Sequence, residues 1–152
     1  MKYLLDTNIV SYFSDPKSPF HSATIKRFSA LAEEDTVFIS VLTFYETEYG
    51  IVYAPEEKKK RMTEVKSMLQ QFLLVLPVSA AGADSFGRIK ARYRKMAGAA
   101  QKTVDRHDVD FILASSAIAE EAVLVSNDRI FLTVQAIEPA LKLENWAGHR
   151  GN

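Results

Sequence analysis

Cysteine is absent from this 152-residue chain, which excludes a disulfide framework, a thiol nucleophile and any thiolate metal site. An excess of charge of one sign is absent too: 19 lysines and arginines stand against 19 acids. A nucleic-acid partner would therefore be held by local charge or by metal, since there is no global field. Long apolar runs are missing as well. The longest, FLLVLPV from Phe72 to Val78, is far too short to cross a bilayer. The opening MKYLLDTN meets an aspartate before a signal-like segment forms, so a soluble cytoplasmic protein without membrane contact is expected. What is present is 47% apolar and 25% charged, which argues against disorder. The length predicts one domain with a buried core, over 1–147, and a flexible C-terminal tail, 148–152.

Periodicity divides the chain into alternating elements. Tyr3–Leu5 reads as a strand closed by Asp6, and TNIVSYF as a short helix ended by Asp15-Pro16 and Ser18-Pro19. Ser22–Glu34 is predicted helical through Ile25, Phe28, Leu31 and Ala32, and Thr36–Ser40 is a β-rich run. Leu42–Tyr53 is predicted to be a helix. The segment after Pro55 is an amphipathic helix with Met62, Val65, Met68, Leu69 and Phe72 on one stripe. LLVLPV gives a third strand and Ala83–Met96 a further helix, while GAAQKTVDRH reads as a loop. Asp108 or Asp110 then opens a nearly apolar helix that leads to a fourth strand in AVLVSND, and ALKLENW supplies a last strand. Strands separated by helices predict an α/β fold, a central parallel sheet covered on both faces.

The informative feature is where the acids fall. Asp6 closes the first strand, Glu46 lies in the helix after the second, Asp110 is in the first turn before the fourth, and Asp128 follows that strand. Carboxyl ends of parallel strands share one edge, where open α/β sheets bind ligands. Acids gathered there repel one another, and the repulsion calls for a cation or for shifted pKa values. Oxygen-only donors suit Mg²⁺ or Mn²⁺. The alternative is that acids at these places only cap helices, for which Asp6 and Asp128 are natural residues.

On a helical wheel, Leu42, Tyr45, Tyr49 and Tyr53 define an apolar face that includes or borders Glu46, whereas Glu48 lies beyond its opposite flank. A glutamate among core aromatics is costly unless paired or metal-bound, so the wheel selects Glu46. In the helix beginning RHDVDFILASSA, Asp110 shares a face with Ala114 and Ala117, and Asp108 lies toward the other side, where it could cap the helix. Nearly every position from Val109 to Ala119 is apolar or small, so periodicity leans to Asp110 without settling the choice. Two residues apart on a helix they diverge by about 200° and cannot grip one ion as equivalent ligands.

The segments LLDTNIV, ISVLTFYETEYG and DFILASSAIAEEAVLVSNDRIF, in that order, resemble the PIN-domain family, specifically the stand-alone VapC-type toxins of prokaryotic toxin–antitoxin pairs. The resemblance spans Lys2 to about Trp146. It implies a three-layer PIN-like fold, with metal-binding acids at Asp6, Glu46, Asp110 and Asp128, and with Asn8, Ser40 and Ser126 orienting them. The RHD ahead of Asp110 departs from the family pattern by adding His107 and Asp108. The resemblance further implies an Mg²⁺- or Mn²⁺-dependent endoribonuclease, a VapB-like antitoxin that neutralises it, and a homodimer. Such chemistry fits the residues, because carboxylate-held ions activate water, neutralise phosphoryl charge and stabilise the leaving oxygen. No GxSxG elbow, histidine pair at zinc spacing or P-loop competes with it. A structure-specific DNA nuclease and a non-catalytic PIN-like module are the alternatives. From Asp84 to Arg106 seven basic residues face two acids. Arg88, Arg92 and Lys95 share a helical face there and are the expected RNA contacts.

Overall fold

Strand β1 (Lys2–Leu5) is the middle of the molecule, and its alternation sets the layers. Tyr3 and Leu5 point to one face and Leu4 to the other, and all three are buried, as the two-residue period of a strand requires. The computed structural model describes residues 1–98 and 101–148. In it β2 (Thr36–Ser40), β3 (Leu74–Leu76), β4 (Val123–Val125) and β5 (Lys142–Glu144) complete a five-stranded sheet in the order β3-β2-β1-β4-β5. Every pairing is parallel, with Leu4 opposite Phe38 on one side and Leu124 on the other.

Each connection between neighbouring strands carries helix, which parallel strands need. These are α1 (Thr7–Ser14), α2 (His21–Ser29), α3 (Val41–Tyr53), α4 (Glu56–Phe72), α5 (Ala83–Ala97), α6 (Gln101–Asp105), α7 (Asp108–Ala119) and α8 (Arg129–Ile137). Two cores result. Leu4 and Leu124 pack with Ile89, Val104, Phe111, Ala114, Ala117, Phe131 and Val134 beneath α5–α8. Tyr3 and Leu5 pack with Ile9, Phe13, Leu69, Leu73 and Trp146 on the opposite face. The architecture is the expected three-layer α/β fold. No helix among the described residues is long and apolar enough to cross a membrane.

Three elements differ from expectation. The helix expected over Ser22–Glu34 ends at Ser29, because Asp35 Oδ2 accepts from Ala32 N at 2.9 Å and folds residues 32–35 into a turn. In α2 it is Thr24 that is buried, while Ile25 is exposed. The loop expected in GAAQKTVDRH contains α6, anchored by the fully buried Val104. Residues 129–137 had no assignment, yet they form α8, capped by Asp128 at one end and stopped before Pro139 at the other. Of the tail, Gly148 sits at φ 75° near Ala23; residues 149–152 lie outside the described region.

Candidate active site

The sheet reverses direction of winding between β1 and β4, and the acids gather above that point, at the carboxyl edge. Asp6 leaves β1 in extended backbone and becomes the N-cap of α1: its Oδ1 accepts from Thr7 N at 2.7 Å. Its other oxygen accepts from Ser126 Oγ at 2.7 Å. Ser126 is buried and also accepts from the Asp128 amide at 3.0 Å and from Asn8 Nδ2 at 3.3 Å. Asp128 in turn caps α8 through Ile130 N at 3.0 Å. Ser40 begins α3 the same way, accepting from Leu42 N at 3.1 Å; it is buried at the start of the helix that carries Glu46. Glu46 accepts a short hydrogen bond from Thr7 Oγ1, and His107 Nδ1 lies 3.0 Å from Asp110 Oδ2.

These side chains open on one cavity of about 540 Å³, lined by Asp6, Glu46, Asp110 and Asp128 together with Thr7, Asn8, Tyr45 and Tyr49. Asp6 and Asp128 therefore cap helices and line the cavity at the same time. Helix N-termini partly offset the negative charge. The offset is incomplete. Burial pushes the Asp6 carboxyl up to about 6, with the Asp110 and Glu46 charges adding to the rise and the Ser126 and Thr7 hydrogen bonds opposing it. Burial also raises Asp110, aided by Asp128 and Glu46 and opposed by His107.

This donor set fits a hard divalent cation. All four acids supply oxygen, neighbouring carboxylates add to the rise at Asp6 and Asp110, and Asn8 Oδ1 in the cavity wall is a buried acceptor with no protein partner. As they stand, no three histidine or acidic side chains among the described residues are gathered closely enough to hold one metal ion. Asp6, Asp110 and Asp128 are turned to hydrogen-bond partners in the protein, as is Glu46.

Several expectations about side chains need correction. The tyrosine face of α3 is not core: Tyr45 is 74% exposed, and Tyr49 and Tyr53 are exposed beside it. Glu46 is also exposed and reaches the site because that face rims the cavity, not because it is buried among aromatics. Asp108 does not cap α7. His107 holds the N-cap position, without a side-chain cap bond, and Lys90 lies 2.6 Å and 2.9 Å from the two Asp108 oxygens. Lys90 also pairs with Asp105 at 2.8 Å.

The basic face of α5 is largely committed internally. Arg88 Nε and Arg92 NH1 each lie 3.1 Å from Glu138 Oε2, and Arg92 also donates to Ile137 O at 2.8 Å. Glu138 is only 6% exposed, and a buried carboxylate demands such partners. It lies at the end of α8 opposite Asp128, roughly 15 Å away along the helix. Arg88 and Arg92 are thus not brought to the acids; Lys95 is exposed, with no ion pair among the described residues. Thr7, Tyr45 and Tyr49 were missed as site residues. Only the position of Thr7 between Asp6 and Asn8 signalled it.

A family model described as PIN domain matches residues 3–137. Ribonuclease VapC2 of Rickettsia felis is 32% identical to the chain, over 96% of it and 98% of that protein. Ribonuclease VapC2 of Haemophilus influenzae is 31% identical, over 96% and 98% respectively. Among solved structures, VapBC2 from Rickettsia felis bound to a DNA fragment from their promoter has a TM-score of 0.74 at 27% identity, covering 96% of this chain and 99% of that one. DNA-bound VapBC from Salmonella typhimurium shares the fold, with a TM-score of 0.72 at 23% identity over 96% and 98% of the two chains.

Proposed function

The chain belongs to the PIN-domain family, and from that premise we propose that it is a divalent-metal-dependent endoribonuclease, the toxin of a toxin–antitoxin pair. The gathering of Asp6, Glu46, Asp110 and Asp128 on one open cavity carries the reading. Relatives called Ribonuclease VapC2 support the choice of RNA. All four acids are present and held in place, which disfavours a non-catalytic module.

Asp6, Glu46 and Asp110 are the principal metal-holding groups, and Asp128 assists them directly or through water. Bound Mg²⁺ or Mn²⁺ would supply an activated water, charge neutralisation and a stabilised leaving oxygen. The protein's part is positional. Ser126 and the Thr7 amide fix Asp6, the Thr7 hydroxyl holds Glu46, and His107 holds Asp110. Tyr45 and Tyr49 present exposed rings beside the acids, and unpaired RNA bases stack on such rings. Lys95 offers an uncommitted cation for phosphate.

The partners are a VapB-like antitoxin and a second copy of the chain, in the cytoplasm. Edge strand β3 and the end of α4 expose Phe72, Leu74 and Val75, an apolar patch on an unpaired sheet edge of the kind that association covers. Incubation of the pure protein with end-labelled single-stranded RNA, and with DNA of the same sequence, tests the function. Internal cuts in RNA that need Mg²⁺ or Mn²⁺, stop with EDTA and vanish in Asp6→Asn are expected. Cutting of DNA alone, or cutting that survives both EDTA and Asp6→Asn, would refute it.

A further inference from the structure

A second cleft, of about 610 Å³, adjoins the acids and shares Asp128 with their cavity. One wall is a face of α8, where Asp128, Leu132 and Gln135 stand one above another at the spacing of successive turns. The other wall is the end of β5 and its exit, with Leu143 and Asn145. Between them Ser126 and Asn127 form the floor, next to Asp6.

The chemistry of this cleft differs from that of the acid cavity. Leu132 is 60% exposed although it lies one turn from the site, and with Leu143 it makes an apolar surface flanked by amides. Asn145 Nδ2 donates to Asn127 Oδ1 at 2.9 Å, and Asn127 Nδ2 lies 3.4 Å from the Tyr12 hydroxyl. Asn145 Oδ1 also accepts from Ala147 N at 2.9 Å; since each primary amide carries two N–H donors and a carbonyl with two lone pairs, Asn145 keeps one N–H and one lone pair while being held in place. Gln135 uses its nitrogen on Leu141 O at 3.1 Å. Arg129 is exposed at the mouth, and no ion pair or side-chain hydrogen bond joins it to any described residue. An exposed guanidinium next to Asp128 that makes no ion pair among the described residues is available to a ligand's phosphate.

We propose that this cleft is a nucleotide subsite: a base flanking the cut lies against Leu132 and Leu143, is read by the Asn145 and Gln135 amides, and has its phosphate on Arg129. An apolar surface against the ring, amides at its edge and a cation at its phosphate suit an unpaired nucleotide. The shared residue Asp128 sets that nucleotide next to the scissile bond. The inference rests on the ribonuclease reading and adds base preference at one flanking position.

The test maps cut sites in a random-sequence RNA pool for the wild type, Leu132→Ala, Asn145→Asp and Arg129→Ala. The three positions are exposed, so folding is retained. The wild type is expected to prefer one base at one position beside the cut. Asn145→Asp changes that preference, and Leu132→Ala, by removing apolar surface that the base covers, weakens it and raises KM about ten-fold. Arg129→Ala raises KM for all sequences alike and makes binding less dependent on salt. Wild-type cutting with a base profile that all three variants reproduce would overturn the subsite and leave the ribonuclease reading intact. If no RNA is cut, that reading fails, and nucleotide binding in EDTA decides the subsite alone. Ribonucleoside monophosphates that shift the Asn145 and Asn127 side-chain amide resonances sustain it; unmoved resonances overturn it.

Discussion

His107 Nδ1 lies 3.0 Å from Asp110 Oδ2, while Asp108, between them in the sequence, turns away to an ion pair with Lys90. One turn of helix thus separates two carboxylates of the same type into different tasks. Asp110→Asn should lower metal-dependent RNA cleavage by two orders of magnitude or more, on the order of the loss for a group acting in the transition state, and weaken Mn²⁺ binding in a calorimetric titration. Asp108→Asn should keep both and lose only a partly exposed ion pair, about 0–1 kcal/mol of stability. Severe loss in Asp108→Asn with an active Asp110→Asn would reverse the assignment.

Asp6 gives the stability a pH dependence. Its carboxyl is raised from the ordinary 3.8 to about 6 in the folded protein, so the folded state holds that proton more tightly than the unfolded state. This contribution favours folding below about pH 4 and is lost as pH rises through about 6. A rise of two pKa units corresponds to about 3 kcal/mol, an order of magnitude for this site. Metal-free protein should therefore lose melting temperature from about pH 4 to about pH 7 relative to Asp6→Asn. Added Mg²⁺ should recover the loss near neutrality. Identical pH profiles for the two proteins would contradict the burial of this charge.

Lys95 and Arg92 share a helical face but should behave oppositely. Lys95→Glu should weaken RNA binding and reduce the magnitude of its salt slope by about one unit, with an unchanged melting temperature. Arg92→Ala should lower the melting temperature, because Glu138 is buried and loses a partner. A stability loss in the first variant, or a large binding loss in a fully stable second one, would sink this division.

Leu74→Glu places a charge on the exposed apolar edge of β3. Light scattering should show a dimer for the wild type and a monomer for the variant, with unaltered circular dichroism. A monomeric wild type at micromolar concentration would refute the assigned contact.

Much of the fold could be read from the sequence because it is written in short-range terms. Thr36–Ser40 is a short run rich in β-branched and aromatic residues that ends on a serine, and Leu4 between Tyr3 and Leu5 marks a strand buried on both sides. Residues 129–137 were harder: only Phe131 and Val134 are buried, and the capping role of Asp128 was the available signal. Of the cavity, Asp6, Asp110 and Asp128 stood out because they fall at strand ends or in a first helical turn, while Glu46, inside α3, was singled out only by the wheel. The tyrosines of α3 misled, since a helical wheel reports shared direction without telling core from cavity rim. Glu138 was invisible: its partners lie 46 and 50 positions away in the chain, and no local pattern announces a pairing made by tertiary packing.

Asp6 and Asp128 each hold a helix N-terminus as well as facing the acid cavity. Inactive versions made by removing these side chains are consequently not equivalent. Asparagine still caps the helix, whereas alanine withdraws an acceptor from the backbone, typically at about 1 kcal/mol. In a cell, that difference governs how much folded protein survives quality control. Growth recovery after Asp6→Ala would confound a silent site with a scarce protein, whereas Asp6→Asn keeps the molecule abundant and isolates the chemistry.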